Sequence, residues 1–268
     1  MIKLGACVSL DSIGTISGMG FDYAEINLTQ LEGISEGDFE RLLETIRDLP
    51  ISTEAANVMI PAEHRVTGPN VDEHGIRTYL DHAFSRAQQV GVKVVVFGSG
   101  GARNVPKGWN YREAWKQLAR FLTITEEYCE QYDIDLAIEP LKRQACNIVN
   151  LVSEAVEMCS LLDLPRIGVL GDTYHMKMCA EPYTALTNAG KLLSHIHVCK
   201  CNGIEKVRSW PSTNDGCDYD DLFISLAEAN YDRRISIEGN CNDLKAEGAD
   251  AFRVLEMARA KAKPLFQQ

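Results

Sequence analysis

Four polar side chains of the types that bind divalent cations stand at the ends of short apolar segments. Glu139 closes Ile134-Asp135-Leu136-Ala137-Ile138, and Asp172 follows Ile167-Gly168-Val169-Leu170-Gly171. His197 lies in His195-Ile196-His197-Val198, and Glu238 closes Ile235-Ser236-Ile237. Read as strands, these segments put Glu139 on the side of Ala137 and Glu238 on the side of Ser236, with Ile138 and Ile237 facing away. Converging from consecutive strands, the four side chains offer three oxygens and one imidazole nitrogen, a set suited to a divalent ion of hard or borderline preference. Manganese is expected first, with magnesium or cobalt able to substitute and zinc less favoured. His195 shares the parity of His197 one layer deeper, where a satisfied core histidine is expected. Cys199, one step further out, would pull the preference toward zinc if it were a ligand. Two carboxylates facing each other across a metal suit the removal and return of a proton beside a carbonyl. Glu139 and Glu238 would be that acid–base pair, on a ketose or related polyol.

The elements that must position these residues recur regularly. Candidate strands are 3–8, 23–27, 51–55, 93–97, 135–139, 167–171, 195–198 and 235–238. Eight units in 268 residues give about 33 residues each, close to the ~30 of a βα repeat. Apolar residues at helical spacing predict helices over 38–48, 79–90, 114–132 and 152–162, the second stopped by Gly91. Alternating βα units imply a parallel sheet, and eight of them without a linker predict a single α/β (β/α)8 TIM barrel over residues 1–268, ahead of a doubly wound open sheet. The loops 98–108 and 202–216 are richest in turn residues and follow candidate strands, which puts them on the catalytic face of a barrel.

Composition narrows the partners. With 27 basic and 38 acidic residues the net charge is −11, which repels phosphate backbones, so no nucleic acid is expected as partner. No apolar run approaches the roughly 20 residues of a membrane span. The start, Met1-Ile2-Lys3-Leu4, shows no basic region followed by an apolar core, and the nine scattered cysteines include no CxxC pair. Reduced thiols and a cytoplasmic location are expected.

The motifs Glu139-Pro140-Leu141-Lys142-Arg143, Gly171-Asp172-Thr173-Tyr174-His175-Met176, His195-Ile196-His197 and Ile235-Ser236-Ile237-Glu238 resemble the sugar isomerase/epimerase family of xylose-isomerase-like TIM barrels. Within it, the D-tagatose and D-allulose 3-epimerase group is nearest. Phe97-Gly98-Ser99-Gly100 with Arg103 and Pro106, and Tyr23-Ala24-Glu25-Ile26-Asn27, extend the resemblance over nearly the whole chain. It implies Glu139, Asp172, His197 and Glu238 as metal ligands, Glu139 and Glu238 also as acid and base, and His175 and Arg208 as contacts to a small-molecule sugar. It also implies a homo-dimer or homo-tetramer. One position departs: that group carries a second glutamate six residues after the first, where this chain has Ala145, and Lys142 replaces an asparagine. Asn147 offers a substitute amide, and Arg103 and Lys107 offer charge to a phosphate if the substrate carries one.

A metal-dependent ketose isomerase or epimerase is the leading expectation. A lyase or dehydratase on a keto-sugar or keto-inositol would use the same site with a departing hydroxyl. An apurinic endonuclease of the same superfamily would want a multi-zinc site, and only six histidines are present. A non-catalytic sugar-binding barrel would have no need of two bases at a metal.

Overall fold

The computed structural model describes residues 2–204 and 206–267. In chain order the elements begin with β1 (Lys3–Cys7), α1 (Ile13–Ile16), β2 (Tyr23–Asn27), α2 (Leu28–Gly33), α3 (Glu36–Asp48) and β3 (Ser52–Asn57). Then come α4 (Glu73–Gln89), β4 (Val94–Phe97), α5 (Gly100–Arg103), α6 (Tyr111–Tyr132), β5 (Asp135–Ile138), α7 (Val152–Leu162) and β6 (Ile167–Asp172). The chain finishes with α8 (Thr173–Met178), α9 (Thr184–Ala189), β7 (Leu193–Val198), α10 (Asp220–Glu228), β8 (Arg234–Ile237) and α11 (Leu244–Ala262). The eight strands pair in chain order, all parallel, and β8 closes on β1. This is the (β/α)8 barrel that the repeat length predicts.

Strand alternation sorts the apolar residues into two layers. Tyr23, Ala55, Val94, Val96, Ala137 and Leu170 fill the barrel interior. Ile26, Val95, Ile138, Ile196 and Ile237 face outward into the larger core beneath the helices. The interior is tight enough that a Cβ on Gly5 would lie 2.4 Å from the Tyr23 ring. The N-terminal end of the barrel is plugged by charge: Glu54 accepts from Lys3 at 2.6 Å, Ser52 at 2.8 Å and Arg234 at 2.7 Å.

Helix boundaries follow their caps. Ser35 caps α3, Asn110 caps α6 and Asp243 caps α11, each side chain accepting backbone N–H groups of the first turn. The expected helix over 79–90 is longer than its pattern. α4 starts at Glu73 because the Asp72 carboxylate accepts from Gly75 N, while its opening turns carry only one buried apolar residue, Ile76, to announce them. Among the described residues no helix is long and apolar enough to cross a membrane.

Candidate functional site

Glu139 and Glu238 are the residues immediately after β5 and β8, Asp172 is the last residue of β6, and His197 lies near the end of β7. The barrel brings all four together: one ligand-type atom from each lies within 4.8 Å of the others. His197 Nδ1 is 2.7 Å from Glu238 Oε2, 3.7 Å from Glu139 Oε1 and 3.8 Å from Asp172 Oδ2. Local backbone fixes the acids. The Glu139 N–H donates to Phe97 O and the Glu238 N–H to Val198 O, continuing the ladders past the strand ends. Asp172 caps α8, its Oδ1 accepting from His175 N at 2.8 Å, which leaves Oδ2 free to turn into the mouth. The Glu139 carboxylate lies against bare backbone, since a Cβ on Gly98 would fall 2.1 Å from its Oε2.

Arg103 sits beneath this corner rather than in a solvated loop. It is fully buried and donates to the carbonyls of Phe97, at 2.9 Å, and Glu139, at 2.5 Å. It therefore ties the ends of β4 and β5 together, and the expectation that it meets a substrate phosphate is corrected. Asn147 is corrected likewise: its amide accepts from Val105 N and donates to Val105 O, a backbone clamp that spends the group. Ala145 is exposed and presents no side chain that could stand in for a carboxylate.

Arg208 reaches the site from the loop after β7. Its Nη2 donates to Asp172 Oδ2 at 2.5 Å and to Glu238 Oε2, and its guanidinium lies 5.1 Å from the centre of the Tyr174 ring. The loop is anchored where it must be. Ser209 bridges both Lys200 and Asn240, and Asn240 N donates to Arg208 O at 2.7 Å. His175 is buried on the other side. Its Nδ1 accepts the Lys142 N–H at 3.2 Å, so its hydrogen is on Nε2, which lies 3.7 Å from Glu139 Oε1. Lys142 donates through Nζ to the Tyr174 hydroxyl at 2.8 Å.

One residue was visible only as part of a resemblance and proves central in the geometry. Glu25, fully buried on β2, places Oε2 2.8 Å from His195 Nε2 and Oε1 2.8 Å from His197 Nε2. An acid flanked by Ala24 and Ile26 in mid-strand was the available signal. His195 is a core histidine, as its layer predicts, but only half satisfied: Nε2 meets Glu25, while its buried Nδ1 has no hydrogen-bond partner among the described residues. Cys199 is buried with Tyr174 and Cys201 and is not among the four converging groups. Cys7, at the end of β1, instead lies with Glu25 and His197 in a second close group.

The charges are strongly coupled. Burial would raise the Glu25, Asp172 and Glu238 carboxyls, but the neighbouring histidines and Arg208 outweigh it. His197 and His195 hold Glu25 well below the usual range; Arg208, His175 and His197 lower Asp172; His197 and Arg208 lower Glu238. Burial opposes charge on both histidines. It prevails at His195, whose pKa is lowered, whereas Glu25 and Glu238 raise His197 well above its ordinary value. Ionised acids thus surround His197 Nδ1, a fully buried atom that lies off the alignment of any hydrogen bond and has no such partner among the described residues. An imidazole nitrogen that makes no aligned hydrogen bond, with Glu238 in ion-pair contact at 2.7 Å and two further carboxylates facing it, fits a divalent cation, which would take the place of a proton there.

A model of the xylose isomerase-like TIM barrel family matches residues 14–260. The chain is 28% identical over 188 residues to a probable ketose 3-epimerase of Synechocystis sp., covering 66% of this chain and 61% of that protein. It is 26% identical over 140 residues to the 3-dehydro-D-guloside 4-epimerase of Escherichia coli, covering 52% and 50%. These alignments thus span between half and two thirds of the relatives' lengths. In fold it is similar to D-allulose 3-epimerase from Methylomonas sp. in complex with D-allulose, with a TM-score of 0.83 at 18% identity over 96% of this chain and 97% of that one.

Proposed function

We propose, from the premise that the chain belongs to the xylose isomerase-like TIM barrel family, that it is a metal-dependent ketose epimerase or isomerase. The observation that carries this reading is the convergence of Glu139, Asp172 and Glu238 on His197 Nδ1, within 4.8 Å of one another. These four residues would hold one divalent ion, manganese by preference. Such an ion, when bound, draws electron density from the oxygens of a ketose and so acidifies the carbon beside its carbonyl.

The residues of the chain do the rest. Glu139 and Glu238 end strands on opposite flanks of β6 and β7, so their carboxylates can address the two faces of one carbon. One accepts its proton and the other returns a proton to the opposite face, which inverts the centre. His175 donates from Nε2 toward a substrate oxygen, and Arg208 supplies a fixed positive charge above Asp172 and Glu238. Glu139 and Glu238 would exchange roles when the reaction runs in reverse.

The relatives named a probable ketose 3-epimerase and a 3-dehydro-D-guloside 4-epimerase share one chemical demand, a proton moved beside a ketone. At the two loop positions where the resemblance points to a hydroxyl-binding group, Ala145 has no polar side chain and the Asn147 amide is spent on Val105, so both kinds of substrate belong in the test. A panel of free ketoses and 3-keto-glycosides, incubated with protein stripped by chelator and then given Mn2+, tests the proposal. Turnover to an epimer should require the metal. Unchanged turnover after stripping, or a full complement of zinc bound through Cys199, would contradict it.

A further inference from the structure

Glu25 takes no place among the four converging groups, yet both of its oxygens are committed to their foundation. Its carboxylate, buried on β2, spans the barrel interior to two rings on β7, with 2.8 Å to each Nε2. An ionised carboxylate only accepts, so both imidazoles must carry a hydrogen on Nε2. His197 is thereby left to present Nδ1 to Glu139, Asp172 and Glu238. The second ring is held in turn: His195 Nε2 is also 3.3 Å from Ser236 Oγ, which meets the Tyr23 hydroxyl at 2.7 Å. The Tyr23 ring has room only because residue 5 is glycine.

We infer that Glu25 is a positioning residue that fixes His197 in the Nε2–H tautomer and so makes Nδ1 the metal-binding atom, with His195 as the second donor that holds the carboxylate's other oxygen. The inference rests on reading the four-residue cluster as a metal centre. Carboxylates behind metal-binding imidazoles orient the ring and raise its basicity, and their loss costs about 10- to 100-fold in affinity. Glu25→Gln is a sharp probe. An amide accepts at one oxygen but donates from its nitrogen, so one of the two rings must move its hydrogen to Nδ1 or face N–H against N–H.

The test uses the metal-free full chain as wild type, Glu25→Gln and Asp172→Asn, each titrated with Mn2+ while free Mn2+ is read by EPR. Glu25→Gln should bind about 10- to 100-fold more weakly. In parallel, 15N-histidine NMR of the wild type loaded with diamagnetic Zn2+ should show one ring metal-bound at Nδ1 and protonated at Nε2. Wild-type affinity in Glu25→Gln beside a weakened Asp172→Asn would overturn the role of Glu25 and leave the metal centre standing. Wild-type affinity in Asp172→Asn would overturn the metal centre itself. If Glu25→Gln does not fold, the NMR result decides: a ring bound through Nε2 and protonated at Nδ1 refutes the assignment.

Discussion

A single methyl group at residue 98 should disable the site without disturbing the fold. The Cβ of Gly98→Ala would lie 2.1 Å from Glu139 Oε2, where an ordinary contact begins at 3.4 Å, so the carboxylate must withdraw by about 1.3 Å. Nothing else crowds the new methyl: the next side chain, Leu141, is 3.9 Å away, and Gly98 lies outside the left-handed region that an alanine resists. A misplacement of roughly 1 Å at a reacting group costs on the order of 10²-fold in rate, or about 2.7 kcal/mol of barrier at ~1.36 kcal/mol per tenfold. Stability should move little, because an alanine at a permitted backbone conformation gains about 0.4–1 kcal/mol through the unfolded chain. The assay is kcat on whichever substrate of the panel the wild type turns over fastest, with bound manganese and thermal unfolding measured on the same preparation. A roughly 10²-fold loss in kcat with a near-native melting temperature is the expected result. Wild-type kcat with full metal occupancy would refute the assignment of Glu139 to the reacting centre.

Two further outcomes concern the scaffold. Thiol titration in denaturant without reductant should find nine free cysteines per chain, matching the nine unpaired thiols of the structure, and five or fewer would contradict it. Burial pushes Glu54 up, but its hydrogen bonds to Lys3, Ser52 and Arg234 prevail and lower its pKa. A depressed carboxyl contributes stability that is present above its unfolded value near ~4.3 and is lost as pH falls through the lower folded value. Chemical denaturation across that window should therefore show a shallower acid loss in Glu54→Gln, which should also be about 1–3 kcal/mol less stable at pH 7; an acid limb identical to wild type would contradict this.

The strands that carry the site were legible because each is a short apolar run stopped by a polar residue. Parity puts Glu139, His197 and Glu238 on the inner side, and Asp172 follows its apolar run directly; the closed barrel converges all four. What a strand pattern lacks is any record of which distant residue a side chain meets. Glu25 acts on rings 170 and 172 positions away in sequence, so its importance appears only when β2 and β7 share one interior. Arg103 reads as a loop cation and becomes a buried strut because α5 turns it back beneath the end of β5. Arg208 gains its position from the pairing of Ser209 with Asn240, a contact between two irregular loops that periodicity does not register. The start of α4 was hidden for a local reason: its cap, Asp72, is strong while its first turns are polar.

The most direct measurement of proton transfer at Glu139 and Glu238 is solvent exchange in heavy water. With manganese supplied, wild-type protein should place deuterium on one carbon beside the carbonyl, at the centre that inverts. Exchange at C3 of a free ketose marks 3-epimerisation, and exchange at C1 or C2 marks aldose–ketose isomerisation. Glu139→Gln and Glu238→Gln should each slow the incorporation by about 10²- to 10⁴-fold, with metal occupancy measured alongside because both side chains are also proposed as metal ligands. Product formed without solvent deuterium would mean a hydride shift and would remove both glutamates from the role assigned to them.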